Sequence, residues 1–256
     1  MSTALRNLRL LIAYDGTNYA GWQRQKSDPT IQGVLEDAIS RMTSEKALLH
    51  GAGRTDAGVH ALGMTANFLT GAIIPCSGFQ MGLNSMLPAD IRVLAVAETA
   101  VDFHARRSAR SKTYIYHLST CPVQLPTERL YSAHIPEPLD ISAMQTGASL
   151  LKGRHDFASF EASGSRDSDA PGGQGAVREI YHAEFIEEKS INRCRFEITG
   201  NGFLRHMVRN LVGTLLALGR GKRSVADFKG IMESRDRSAA GPTAPAHGLY
   251  LKEVHY

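Results

Sequence analysis

Two periods alternate along this chain, and the order in which they alternate limits what it can fold into. Leu8, Leu10, Ile12 and Tyr14 fall on every second residue, as in a strand with one buried face. Ile31, Val34, Leu35, Ala38, Ile39 and Met42 then recur at steps of three and four, the stripe of an amphipathic helix whose expected start is Asp28 and Pro29. Strand-like runs follow at 64–70 and 91–98, separated by "LNSMLPAD", which reads as a turn from its asparagine and proline. The plan then begins again, with a strand at "TYIYHLS", a helix from Asp140 to Gly153 and strands near 179–187 and 192–199. In the last of these Cys194, Phe196 and Ile198 alternate with Arg193, Arg195 and Glu197, the pattern of an antiparallel sheet with one wet face. Val208, Leu211, Val212 and Leu215 mark a buried helix, and Ser224 with Asp227 predicts a capping box ahead of Phe228, Ile231 and Met232. The duplicated plan implies an α+β chain of two ferredoxin-like halves with antiparallel sheets, residues 1–107 and 108–256.

Composition narrows the function. Hydrophobic residues make up 43% and charged residues 21%, as in an ordinary globule, and no apolar run approaches the ~18 residues of a membrane helix. The opening "MSTALRNLRLLIAYDG" alternates like a strand and lacks a small-residue cleavage site, so a cytoplasmic location is expected. Cys76, Cys121 and Cys194 are odd in number and show no CxxC spacing, which argues against a disulfide framework or a structural zinc site. The histidines contain no HExxH pair, and no metal is expected. The net charge of +4 is clustered: Arg106, Arg107, Arg110 and Lys112 crowd one segment, and Arg205, Arg209, Arg220, Lys222 and Arg223 surround a later helix. Such clusters point to a polyanionic partner. The stretch "ASGSRDSDAPGGQGA", residues 162–176, reads as a mobile loop, either a lid over a large ligand or a tolerated insertion.

The stretch that most asks for a chemical explanation is "GRTDAGVHA", Gly53 to Ala61. With the preceding residues it nearly makes a dinucleotide-binding GxGxxG, but Asp56 stands where the third glycine should be, and a carboxylate there repels phosphates. "GRGKRS" at 219–224 lacks the first glycine of a phosphate loop and follows a helix, so no nucleotide cofactor is expected. No second acid lies near Asp56 in sequence, as paired-carboxylate hydrolysis requires. What remains is one carboxylate beside Arg54. The pair is either a turn-stabilising ion pair or a nucleophile or base kept ionised by its neighbour.

"YDGTNYAGWQRQ", "GRTDAGVHA", "LNSMLPADIRV", "DFHARRSARSKTYIY", "FLRHMVRNLVG" and "HGLYL" together resemble the tRNA pseudouridine synthase A (TruA) family, in order and from residue 14 to residue 251. The resemblance implies a cofactor-free, metal-free isomerase that converts uridine to pseudouridine at positions 38–40 of the tRNA anticodon stem-loop, acting as a homodimer. Asp56 matches the family's catalytic aspartate, and Arg54 matches the arginine beside it that helps hold the flipped nucleotide. Tyr114 matches the tyrosine that stacks on the target base, Arg209 the basic residue paired with the aspartate, and Leu249 the apolar residue that closes the pocket. The two RRM-like halves are then expected to join their sheets into one, with an active-site cleft between them. "PGGQGAVREI" departs from the family, which commonly carries a Thr-Pro or similar pair there, and this touches the loop's contact with RNA and not the chemistry.

The chemistry gives these residue types independent reasons. Extruding a base from a stem costs a few kcal/mol, and an aromatic platform recovers ~1–3 kcal/mol by stacking, which suits Tyr114. A buried carboxylate drifts toward neutrality unless a fixed cation holds it, which suits Arg209 on an apolar helix. Arg205, one turn earlier, and Arg110 and Lys112, beside Tyr114, are expected to contact phosphate. His60 reads as a turn stabiliser, with a phosphate contact as the alternative, and Trp22 as a packing anchor more than a base-stacking group. The competing reading is a noncatalytic RNA-binding protein of paired RRM-like sheets, which calls for an RNP1-like aromatic string that the chain lacks.

Overall fold

The structure, a computed structural model, describes residues 5–162 and 175–256. Most of the glycine- and serine-rich stretch expected to be a mobile loop, residues 163–174, lies outside the described residues. The chain is of the α+β class and divides into two compact units, the described part of 1–110 with Tyr250–Tyr256, and Ser111–Leu249. No helix among the described residues is long and apolar enough to cross a membrane.

The first unit runs β1 (Arg6–Tyr14), α1 (Ile31–Thr43), β2 (His50–Gly51), β3 (His60–Thr70), α2 (Cys76–Met86) and β4 (Ile91–Thr99). β1 lies between β3 and β4, antiparallel to both, and β2 pairs with β3. The period-2 reading of β1 is met on the core side, where Leu8, Leu10, Ile12 and Tyr14 are all buried. α1 starts two residues later than Asp28 and Pro29 suggest, because the Thr30 hydroxyl caps it by accepting from the Gly33 N–H.

The reading of "LNSMLPAD" as a turn is wrong over its first half. Leu83 to Met86 close α2, whose Phe79 and Leu83 are fully buried one turn apart. Low-propensity residues hide this helix: Gly82 sits where an added Cβ would lie 2.7 Å from Met42 Cε of α1, so close packing overrides propensity. Asn84 marks a strand partner, not a turn: its side chain accepts from the Val93 N–H at 2.9 Å and donates to the Val93 carbonyl at 2.8 Å.

The second unit runs β5 (Ser111–Ser119), β6 (Ala133–His134), α3 (Ile141–Ser149), β7 (Gly153–Asp156), β8 (Val177–Glu188), β9 (Arg193–Gly200), α4 (Met207–Gly219) and α5 (Val225–Ser234). Its antiparallel sheet has the order β5-β9-β8-β7, with β6 added in parallel to β5. α3 ends at Ser149, short of the expected Gly153, which takes a φ of +99° and opens β7. The Ser224–Asp227 capping box is present in both directions. The last strand, β10 (Leu249–His255), leaves the second unit after Leu249 and runs parallel to β3, with Tyr250 opposite His60 and Leu251 opposite Ala61.

Candidate active site

Asp56 sits half-buried in the loop between β2 and β3, and the segment after β1 explains why that loop has one shape. An added Cβ on Gly16 would lie 2.0 Å from the Val59 carbonyl oxygen, and one on Gly21 would lie 2.4 Å from the Thr55 oxygen. Neither gap admits a side chain. Gly21 also takes a φ of +92°, a conformation that L residues rarely adopt. Hydrogen bonds finish the clamp: the Trp22 N–H donates to the Thr55 carbonyl at 3.1 Å, the Gly58 N–H to the Tyr19 carbonyl at 3.4 Å, and Tyr14 and Thr55 share a hydroxyl–hydroxyl bond of 2.8 Å. "YDGTNYAGW" is therefore a mould for the "RTDAG" backbone. Trp22 is only 3% exposed and packs beside Tyr14, in keeping with the expected packing anchor.

The mould is itself fastened. The Tyr19 hydroxyl donates to Asp90 Oδ1 at 2.7 Å, and burial together with that carboxylate pushes the phenol's pKa far up, so it stays a donor. Asp90 also accepts the Asp15 N–H through its backbone oxygen, which ties "LPAD" to the same loop. His60 is buried and stacks on Tyr250 with ring centroids 4.6 Å apart. Its Nδ1 lies 3.1 Å from the Gly16 N–H and 3.1 Å from Asp15 Oδ1. The first contact holds when Nδ1 is unprotonated and the second when it carries a proton. Both contacts place His60 inside the mould, as a structural reading requires. Arg54 is exposed on the same loop.

In the second unit Tyr114 and Tyr116 lie two apart on β5 and so share a face. Tyr114, 8% exposed, meets Phe203 edge-on at 5.0 Å. Tyr116 is fully buried and donates to the Pro245 carbonyl at 2.9 Å. Burial drives its pKa far upward, opposed by the nearby Arg209 charge, and its hydroxyl remains a donor. Arg209 Nε donates to the Ala244 carbonyl at 2.8 Å while the Ala244 N–H returns to the Arg209 carbonyl at 3.1 Å. Asn210, fully buried, accepts from Arg237 at 3.1 Å and from the Thr243 hydroxyl at 2.6 Å. Residues 243–248 are thus laced to α4 and β5, and they deliver Leu249, 6% exposed, to the start of β10.

Of the expected phosphate contacts, Arg205 is exposed just before α4 and Lys112 is half-buried opposite Gly200. Arg110 is exposed at the end of the first unit, its N–H donating to His255. Within the first unit the structure brings Arg54 and Asp56 onto one loop, and within the second it gathers Arg209 and Leu249 around residues 243–248. Sequence reasoning missed Tyr116, Asn210, Phe203 and Asp90. The first three lay inside quoted motifs, as did Asp90, but each acts through a contact far away in sequence. Among the described residues no three His, Cys, Asp or Glu side chains gather as a metal site.

Residues 10–106 and 148–256 match the family described as tRNA pseudouridine synthase. The tRNA pseudouridine synthase A 1 of Desulfotalea psychrophila is 52% identical over 252 residues, 98% of this chain and 100% of that protein. The tRNA pseudouridine synthase A of Acetivibrio thermocellus is 47% identical over 254 residues, again 98% of this chain and 100% of the relative. That of Ligilactobacillus salivarius is 44% identical over 253 residues, covering 98% and 96%.

Proposed function

This chain belongs to the tRNA pseudouridine synthase family and is an isomerase that makes pseudouridine in tRNA; from that premise we propose that it acts on uridines 38–40 of the anticodon stem-loop through an ionised Asp56. The observation that carries the assignment to Asp56 is the mould around its loop, which fixes the backbone of one half-buried carboxylate by contacts too close for any side chain. Positioning of that kind is what a reacting group needs, since displacement by about 1 Å costs on the order of a hundredfold in rate.

The reaction breaks the C1′–N1 bond, turns the uracil and joins C5 to C1′, with C5 losing a proton and N1 gaining one. Attack on C1′, addition at C6 and removal of a sugar proton all require the carboxylate as an anion. In the proposal Arg209 supplies the compensating charge; its attachment to Ala244 at Nε gives it the fixed geometry that a mobile lysine lacks. Tyr114 stacks on the extruded uracil, its ring already braced by Phe203, and Leu249 closes the apolar side. Arg54 helps hold the flipped nucleotide, and Arg205, Arg110 and Lys112 contact phosphates. A homodimeric state, which the family resemblance implies, and residence in the cytoplasm, expected from the N-terminal sequence, belong to the same proposal. Family membership sets aside the noncatalytic RNA-binding alternative.

The test is Asp56→Asn, which keeps shape and removes charge. Tritium release from C5-labelled uridine in tRNA is expected to fall by at least about a thousandfold while tRNA is still bound. Release at the wild-type rate overturns the role given to Asp56.

A further inference from the structure

Arg237 opens a short 3₁₀ turn, Arg237–Ala239, soon after α5, and its guanidinium reaches three uncharged acceptors at once. Nη1 donates to the Gly241 carbonyl at 3.0 Å, and Nη2 donates to Asn210 Oδ1 at 3.1 Å and to the Thr243 hydroxyl at 3.2 Å. The Thr243 hydroxyl in turn donates to Asn210 Oδ1 at 2.6 Å. Asn210, fully buried, sends its amide N–H to the Phe160 carbonyl at 2.8 Å. Charge-assisted bonds are the strong ones, and a single planar fork that meets three acceptors holds all three groups in one geometry.

What this fork holds lies directly against Arg209. Residues 241–244 run along one turn of α4 at backbone contact: a Cβ added to Gly213 would lie 1.7 Å from the Pro242 carbonyl oxygen, and one added to Gly241 would lie 2.9 Å from the Gly213 oxygen. The Gly241 N–H donates to the Thr214 hydroxyl at 2.9 Å, and that hydroxyl donates to the Asn210 carbonyl at 2.7 Å. One residue beyond Thr243, Ala244 makes the reciprocal pair with Arg209, accepting from Nε and returning its own N–H. Arg237 therefore grips the segment at its start, Gly241, and again at the residue just before Ala244. Arg209 is aimed by Ala244, and Ala244 is held in place by Arg237.

We propose that Arg237 is a positioning residue for the isomerisation, one that acts through Ala244 to fix the direction of the Arg209 guanidinium without itself meeting the substrate. This rests on the role given to Arg209 above and adds a residue that none of the quoted sequence motifs contains. A misdirected Arg209 compensates the reacting carboxylate less well and leaves the phosphate contacts untouched, so the loss falls on the chemical step and not on RNA binding. A lysine at position 237 keeps the charge, but its single ammonium cannot span Gly241 and the Asn210–Thr243 pair together.

The experiment measures single-turnover pseudouridine formation and tRNA affinity for the full chain and for R237A, R237K and T243V, with R237A and T243V made again in an R209A background. R237A should slow the single-turnover rate about thirtyfold and T243V about fivefold, and neither should change tRNA affinity by more than about twofold. R237K should stay slow. Guanidinium chloride, kept well below unfolding concentrations, should restore part of the R237A rate where an equal amount of sodium chloride does not; guanidinium weakens folds, so such a recovery does not come from stability. In the R209A background R237A should add less than about twofold, because a residue that acts only through Arg209 has nothing left to aim. A wild-type rate in R237A or R237K, a rate that guanidinium does not raise, or a full additive loss on top of R209A overturns the proposal. Where R237A fails to fold, T243V decides in the same way, by slowing wild type and not R209A. R209A that turns over at the wild-type rate overturns the role of Arg209 itself, and the proposal with it.

Discussion

The loop that carries Asp56 and the segment that leads to Leu249 are both irregular, both quoted in sequence motifs, and held in opposite ways. The first is set backbone against backbone: glycines at 16 and 21 let main-chain atoms approach where a Cβ would sit 2.0 and 2.4 Å from carbonyl oxygens. The second is held by long side chains, with Tyr116, Arg209 and Asn210 reaching to residues 243–245. A backbone clamp has no soft torsions to absorb a change, so it fails abruptly. Side-chain lacing distributes the constraint over several bonds, and losing one produces a graded loss. The contrast fits the proposed division of labour: the reacting carboxylate needs one position, whereas the residues that pair with it and enclose the base follow a substrate that moves during the reaction.

The contrast can be broken or sharpened. Trp22→Ala removes the buried wall behind the mould and should cost about 3–5 kcal/mol in denaturant unfolding; a loss under about 1 kcal/mol shows that the mould does not rest on this ring. Gly16→Ala forces the Val59 carbonyl aside, and single-turnover pseudouridine formation should slow about a hundredfold with a much smaller change in tRNA affinity. A near-normal rate breaks the claim that the backbone clamp positions Asp56. Tyr116→Phe leaves the Pro245 carbonyl without its donor and should cost about 1–3 kcal/mol by thermal unfolding, with activity reduced only in part. An abrupt loss of all activity there erases the distinction between the two regions.

Much of this was legible beforehand wherever a pattern is local. β1, β5, β9, α1 and α4 announce themselves because a half-buried element repeats its apolar residues at its own period. The Ser224 capping box was legible because its partners lie three residues apart. α2 was not, since Gly78, Gly82 and Ser85 lower its intrinsic preference and only its contact with Met42 shows why a glycine is needed. The candidate site divides in the same manner. Asp56 stood out because a carboxylate displaced a glycine in a near-fingerprint. Asp90 and Asn210 passed unnoticed because each makes sense only through partners that sequence distance conceals, Tyr19 for the first and Thr243 for the second.

The buried faces of β1, β5, β9, α1 and α4 and the motif residues were determined by the amino-acid sequence alone, because periodicity and capping act over a few residues. Folding decided what those motifs press against: that "YDGTNYAGW" lines the Asp56 loop, that Asn210 meets Arg237 and Thr243, and that β10 returns beside β3 in parallel. The physical reason is range. Propensity and hydrophobic period are summed along the chain, whereas a clamp depends on which distant backbone fills the last two ångströms.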